Sequence, residues 1–160
     1  MRAVFCIAAA IACIAAPLCA QPGSPGKLGK WRLDIAHSKL GPAPPPAEDM
    51  RLYEAAPNGM IRSIHRVIYA DGHSATTTYT AKDDGTDYPM TDARGAVIGT
   101  IALLARGPRT QTFVTKRDGR ITGTGITEIS PDGITLRMTI VPGQPAARAQ
   151  TLDMIFDRAD

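Results

Sequence analysis

Thr112–Val141 reads TFVTKRDGRITGTGITEISPDGITLRMTIV, and this stretch decides the fold. It is three segments of strand-forming residues divided by Asp118-Gly119 and Asp132-Gly133. Asp-Gly between alternating apolar residues signals a hairpin, because primed turns need positive φ and glycine adopts it without strain. In the last segment Ile134, Leu136, Met138 and Ile140 share one face, and Thr135, Arg137 and Thr139 the other. That is the period of a half-buried strand. A two-residue turn at Asp132-Gly133 sets Glu128 opposite Arg137 outside and Ile129 opposite Leu136 inside. Pro131 objects, having no N–H to give beside the turn. A three-residue Pro131-Asp132-Gly133 loop suits the proline, slips the register by one and turns Glu128 inward as a polar ligand contact. A bulge in Thr122–Gly125 could reconcile the two, and the reading leans to Glu128 outside.

Working back toward the start, the same punctuation recurs. Asn58-Gly59, Asp71-Gly72 and Asp84-Gly85 stand 13 residues apart and bound strands at 49–56, 60–70 and 73–81. Thr76, Thr77, Thr78 and Thr80 make the last of these strongly β. Lys30–Ile35 alternates as a first strand, with Trp31, Leu33 and Ile35 on one face. The stretch Gly41–Pro46 cannot be central strand, since prolines donate no ladder hydrogen bonds. Thr86–Gly95 is irregular, with Pro89 and Gly95 as breakers. Ala96–Ala105 is apolar on both faces, which periodicity alone allows as a short buried helix, but its β-branched residues, Gly99 and the Arg106-Gly107-Pro108 terminator favour a strand. Strands at 109–117 and 151–158 follow the same alternation, with a loop at 143–149 before the last. Eight to nine antiparallel strands in hairpin order leave two exposed edges unless the sheet closes. The expected fold is all-β, an up-and-down barrel, with an open β-sandwich as the alternative.

Residues 1–20, MRAVFCIAAAIACIAAPLCA, have a basic start, an apolar core and a small residue before Gln21, the layout of a secretory signal peptide. The apolar core is shorter than the roughly 20 residues that span a bilayer. Leu18 before Cys19, and Cys13 inside the apolar run, argue against a lipoprotein signal. Cleavage after Ala20 would leave a periplasmic or secreted chain with a flexible lead-in at 21–29 and one barrel domain at 30–160. All three cysteines precede that cleavage point, so stability must come from a core and not from disulfides. Net charge falls from +3 to +2 with Arg2 removed, and the scattered basic residues give no nucleic-acid surface.

Candidate chemistry is sparse. His37, His65 and His73 are the only histidines. With a two-residue turn at Asp71-Gly72, Ala70 faces His73 and His65 faces Thr78, too far for a shared ion, so no metal is expected. Asp83, Asp84, Asp87 and Asp92 crowd one region, but their order fits turn chemistry better than a calcium loop. No nucleophile elbow and no phosphate loop appears, so catalytic residues and cofactors are both read as none. The chain leans toward a non-enzyme without deciding the matter. What remains is the barrel interior. Tyr53, Tyr69, Tyr79 and Phe113 are the candidates to line a pocket, a tyrosine offering an apolar ring with a polar tip.

Gly29-Lys30-Trp31, the long loop after it and the terminal Asp157-Arg158 resemble the lipocalin/calycin plan. In that plan the first-strand Trp31 plugs one end of the barrel and Arg158 stacks across it as a cation–π pair. The loop after the first strand carries the lid in such barrels, which makes the Pro-rich stretch a gate or a stiff linker. The C-terminal helix and disulfide common in secreted lipocalins have no counterpart here. A nearer likeness is to small exported bacterial lipocalin-like proteins, through GKWRLDIAHSKL (29–40), the Pro-rich loop, DGTDYP (84–89), SPDGITL (130–136) and the terminal Asp-Arg. This resemblance implies the fold and the compartment and carries no activity. The leading expectation is an exported barrel that binds a small hydrophobic or amphipathic ligand. The alternative is a non-catalytic envelope domain, structural or protein-binding, with a filled barrel. No nucleic acid and no stable membrane insertion after cleavage are expected, and the oligomeric state stays open.

Overall fold

The computed structural model describes residues 25–143 and 150–159. The expected signal segment with its cysteines, the start of the lead-in and residues 144–149 lie outside these. Ten antiparallel strands run in sequence order: β1 (Gly29–Leu33), β2 (Glu48–Ala56), β3 (Met60–Ile68), β4 (Ser74–Ala81), β5 (Asp84–Thr91), β6 (Val97–Gly107), β7 (Thr110–Arg117), β8 (Arg120–Ile129), β9 (Thr135–Pro142) and β10 (Leu152–Ala159). Each pairs with the next, and β10 pairs back onto β1, Trp31 opposite Arg158 and Leu33 opposite Phe156. Closure removes both sheet edges, so the open-sandwich alternative is wrong.

The strand that sequence reading missed is β5. Pro89 suggested a break, and a proline is indeed excluded where both neighbours need a ladder. Here β5 meets β4 through only two residue pairs, Thr78 with Thr91 and Tyr79 with Met90, while β6 supports it along its length with two register shifts. Most of the β4-facing edge of β5 asks for no donors, and Pro89 is tolerated.

Three turns set the registers. Asp118 and Gly119 have φ of 50° and 73°, a two-residue primed turn with Arg117 opposite Arg120. The Asp71-Gly72 turn is longer than expected. Tyr69 faces His73 across an Ala70-Asp71-Gly72 loop, Tyr69 N–H donating to His73 O at 2.9 Å, so His65 faces Thr77 rather than Thr78. At Pro131–Ile134 the loop has four residues. Gly133 N–H donates to Ser130 O at 2.9 Å and Ser130 N–H to Thr135 O at 2.9 Å. Pro131 thus takes the second position of a turn, where no N–H is needed, with Gly133 at φ 75° behind it. Glu128 keeps Arg137 as its partner and stays exposed. The four-residue loop gives the hydrophobic register and the proline geometry together, and Ile134, expected inside, is 58% exposed in the turn.

The barrel's two ends differ. At one lie Trp31, Tyr53, Leu103, Leu136 and Phe156, each at most 2% exposed. Trp31 Nε1–H donates to Lys27 O at 2.8 Å, which folds Pro25–Lys27 under this end as a 3-10 turn. Arg158 lies over the Trp31 ring at 4.4 Å. It donates to Gly133 O at 2.8 Å, and to Leu28 O and Gly26 O at 2.9 Å. Part of the stretch read as a flexible lead-in is therefore packed, with Lys27 itself 2% exposed.

At the other end β1 stops at Leu33 instead of continuing to Ile35. Ser38 Oγ–H donates to Asp34 O at 2.6 Å and Ile155 N–H to Ser38 Oγ at 2.9 Å. Lys39 then pairs with Asp153 of β10. The first part of the loop is stitched to β10, and Leu40 packs on the core.

Candidate functional site

A cavity of about 450 Å³ occupies the barrel interior. Its walls come from alternate residues of nine strands, because only every second side chain of a strand points inward. Met90, Ile98, Ile101, Leu103, Phe113, Met138, Ile140 and Leu152 make an apolar wall. Residues lining its far end, Arg117 and Thr122, are exposed, whereas Tyr53, Gln111 and Lys27 at the Trp31 end are 2% exposed. The cavity is a blind pocket that opens away from Trp31. Gly125 helps to keep the wall thin: it faces Phe113, and a Cβ there would overlap the Phe113 ring and the Thr139 carbonyl. A larger hollow of about 820 Å³ lies outside, between β1, β2 and the loop. Arg32, Ile35, Ala47 and Asp157 on its walls are exposed, which makes it a surface groove.

Of the four residues read as pocket-lining, Tyr53, Tyr79 and Phe113 come together in the cavity. Tyr69 does not. It is 38% exposed at the end of β3, its ring stacked on His73 at 4.1 Å, because the three-residue turn carries both residues beyond the barrel wall.

The polar part of the site was not foreseen. Asp49, Arg51 and Tyr53 follow one another at period two on β2, so if Tyr53 points inward the two charged residues do as well. His65 on β3 faces Arg51, and its Nε2 lies 2.9 Å from Asp49 Oδ1. Lys27 enters from beneath. Its Nζ donates to Gln111 Oε1 at 2.6 Å and lies 4.3 Å over the Tyr53 ring. Gln111 in turn donates to Asp83 Oδ1. The Arg51 guanidinium rests over Phe156 at 4.9 Å, with Nε buried and without a hydrogen-bond partner. Its nearest carboxylate, Asp49, is 3.9 Å away.

Electrostatics follow from this crowding. Burial, and then the Arg51 charge, hold the His65 imidazole below its ordinary value despite the Asp49 partner. His65 is therefore neutral at neutral pH and donates its Nε2–H to Asp49. Burial pushes the Asp49 carboxyl up, but the His65 hydrogen bond and Arg51 outweigh it and leave the group below its ordinary value. Burial also opposes the Lys27 ammonium, yet Tyr79, Tyr53 and Asp83 around it raise it overall. For Tyr53 burial raises the phenol, and the charges of Lys27 and Arg51 more than reverse that. At neutral pH the pocket floor holds two cations, Lys27 and Arg51, both facing Tyr53.

The remaining histidines are taken up locally, His37 by Asp34 and His73 by Asp71. Asp84 and Asp92 accept backbone N–H groups of their own turns. Among the described residues no three His, Cys, Asp or Glu converge as metal ligands.

No family model matches the chain, and no curated protein matches it. Among solved structures it is similar to a fatty acid binding protein of Schistosoma mansoni in complex with arachidonic acid. The two are 14% identical, with a TM-score of 0.58 over 86% of this chain and 99% of that one. At that identity the likeness speaks for the fold: a closed, ten-stranded antiparallel barrel of the lipocalin/calycin type.

Proposed function

We propose that the protein is an exported lipocalin-like barrel, of the small bacterial kind its sequence resembles, that holds one small hydrophobic or amphipathic molecule. The observation that carries this is the blind cavity of about 450 Å³, apolar along its wall and polar at its floor. Its volume lies in the range of about 300–1,000 Å³ typical of small-molecule sites. A filled barrel, the competing expectation, does not fit an interior with that much open space. The similar barrel is of a protein in complex with arachidonic acid, which supports the reading by fold analogy.

Native mass spectrometry of protein purified from its own host tests it. The expected spectrum carries a co-purifying small molecule that organic extraction removes. A bare protein mass that takes up no twelve-carbon alcohol or acid on titration would overturn the reading. The same spectrum tests export, since cleavage after Ala20 gives a chain that starts at Gln21.

A further inference from the structure

Two cations sit at the floor of an apolar pocket, and neither is satisfied by the carboxylates nearby. Asp49 accepts from His65 and stands 3.9 Å from Arg51 Nε, beyond hydrogen-bond distance. Asp83 reaches Lys27 only through Gln111. Arg51 Nε is buried without a partner, and Lys27 has two further N–H donors beyond its bond to Gln111. A buried cation with donors to spare is costly unless an anion completes it. Both side chains line the cavity, and both face Tyr53.

We propose that Lys27 and Arg51 form an anion site at the cavity floor that takes the single carboxylate of an amphipathic ligand, whose alkyl chain runs along Ile101, Leu103 and Ile140 toward the mouth near Arg117. This deepens the cavity reading and rests on it. Guanidinium and carboxylate match as a planar, two-bond pair, and charge-assisted hydrogen bonds are the strong ones. Asp49 and Asp83 set the charge limit. They already offset the two cations in sum, so the carboxylate is held by the spare, directed donors of Arg51 and Lys27 and not by surplus positive charge. A second negative charge on the ligand adds repulsion from both aspartates that no further donor offsets. A monoanionic carboxylate is accepted and a phosphate dianion is not.

Calorimetric titration of the full mature chain, stripped of lipid, with dodecanoate, dodecanol and dodecyl phosphate tests the site. Dodecanoate is expected to bind at least about tenfold more tightly than dodecanol, the step that one charge-assisted hydrogen bond supplies. Dodecyl phosphate is expected to bind more weakly than dodecanoate. In Arg51→Met and in Lys27→Met the ratio of acid to alcohol affinity falls toward one, with the fold of each variant checked by its circular dichroism and thermal transition. Equal wild-type affinity for acid and alcohol, or a preference that survives both substitutions, overturns the anion site and leaves the cavity standing. Phosphate binding as tightly as the acid overturns the charge limit. If none of the three binds, the cavity reading falls and the anion site with it. Should a variant fail to fold, the wild-type ratio of acid to alcohol decides alone.

Discussion

The two ends of the barrel are built from the same strands and solve opposite problems. At the Trp31 end an indole, a guanidinium and a short turn close the barrel, with Arg158 bonded to three backbone carbonyls, Gly26 and Leu28 before β1 and Gly133 between β8 and β9. At the far end the loop after β1 is stitched to β10 on one side only, the cavity opens past Arg117 and Thr122, and Val97, Ile121 and Val141 stay exposed. Packing and hydrogen bonding are concentrated where nothing enters. The contrast teaches that stability and access are separated along the barrel axis, so substitutions should sort by end.

The largest break comes from Trp31→Ala. Removing a fully buried indole that also holds the Pro25–Lys27 turn should cost about 3–5 kcal/mol in denaturant unfolding. Next is Arg158→Met, which keeps bulk over Trp31 but deletes the cation–π contact and the carbonyl bonds, for about 2 kcal/mol. Third is a pH effect between the ends. An imidazole held below 6.5 in the fold takes up its proton more readily once unfolded. Its contribution is therefore whole above pH 6.5 and is lost as pH falls through that value toward the folded one. Asp49, also lowered, contributes above 3.8 and loses its share only at lower pH. The exposed His37, raised by its hydrogen bond to Asp34, works in the opposite sense to His65. The informative quantity is thus wild type against His65→Gln: the variant should show a flatter loss between pH 7 and 5, by at most about 1.4 kcal/mol per pH unit. Smallest is Arg117→Ala at the mouth, expected within about 0.5 kcal/mol of wild type. A mouth substitution as damaging as Trp31→Ala would erase the distinction between the ends.

Much of this was legible in the chain. Period-two alternation in β9 and β10 and the Asp-Gly turns follow from local chemistry, whereas the Trp31–Arg158 pairing was implied by the resemblance to the lipocalin/calycin plan. What stayed hidden has physical causes. Turn length is not fixed by Asp-Gly alone, and one extra residue at Ala70-Asp71-Gly72 carried Tyr69 out of the pocket. Pro89 hid β5 because sequence does not show that its β4 side is scarcely laddered. Lys27 sits in a Pro/Gly-rich segment that reads as mobile, and only the tertiary bond from Trp31 holds it in place. Arg51 was the readable omission. Its spacing from Tyr53 puts both on one face, and charge alone kept it off the list of interior residues.

Native-state hydrogen exchange, with and without a saturated twelve-carbon acid or alcohol, tests the separation most directly. The account predicts that amides at Trp31, Tyr53, Leu103 and Phe156 exchange only by global unfolding, and that those at Ile98, Arg117, Thr122 and Leu152 open locally. Ligand should slow the second group strongly and shift the first only as far as global stability rises. Ligand-induced protection on the outer groove around Arg32 and Glu48, with the mouth unchanged, would contradict it.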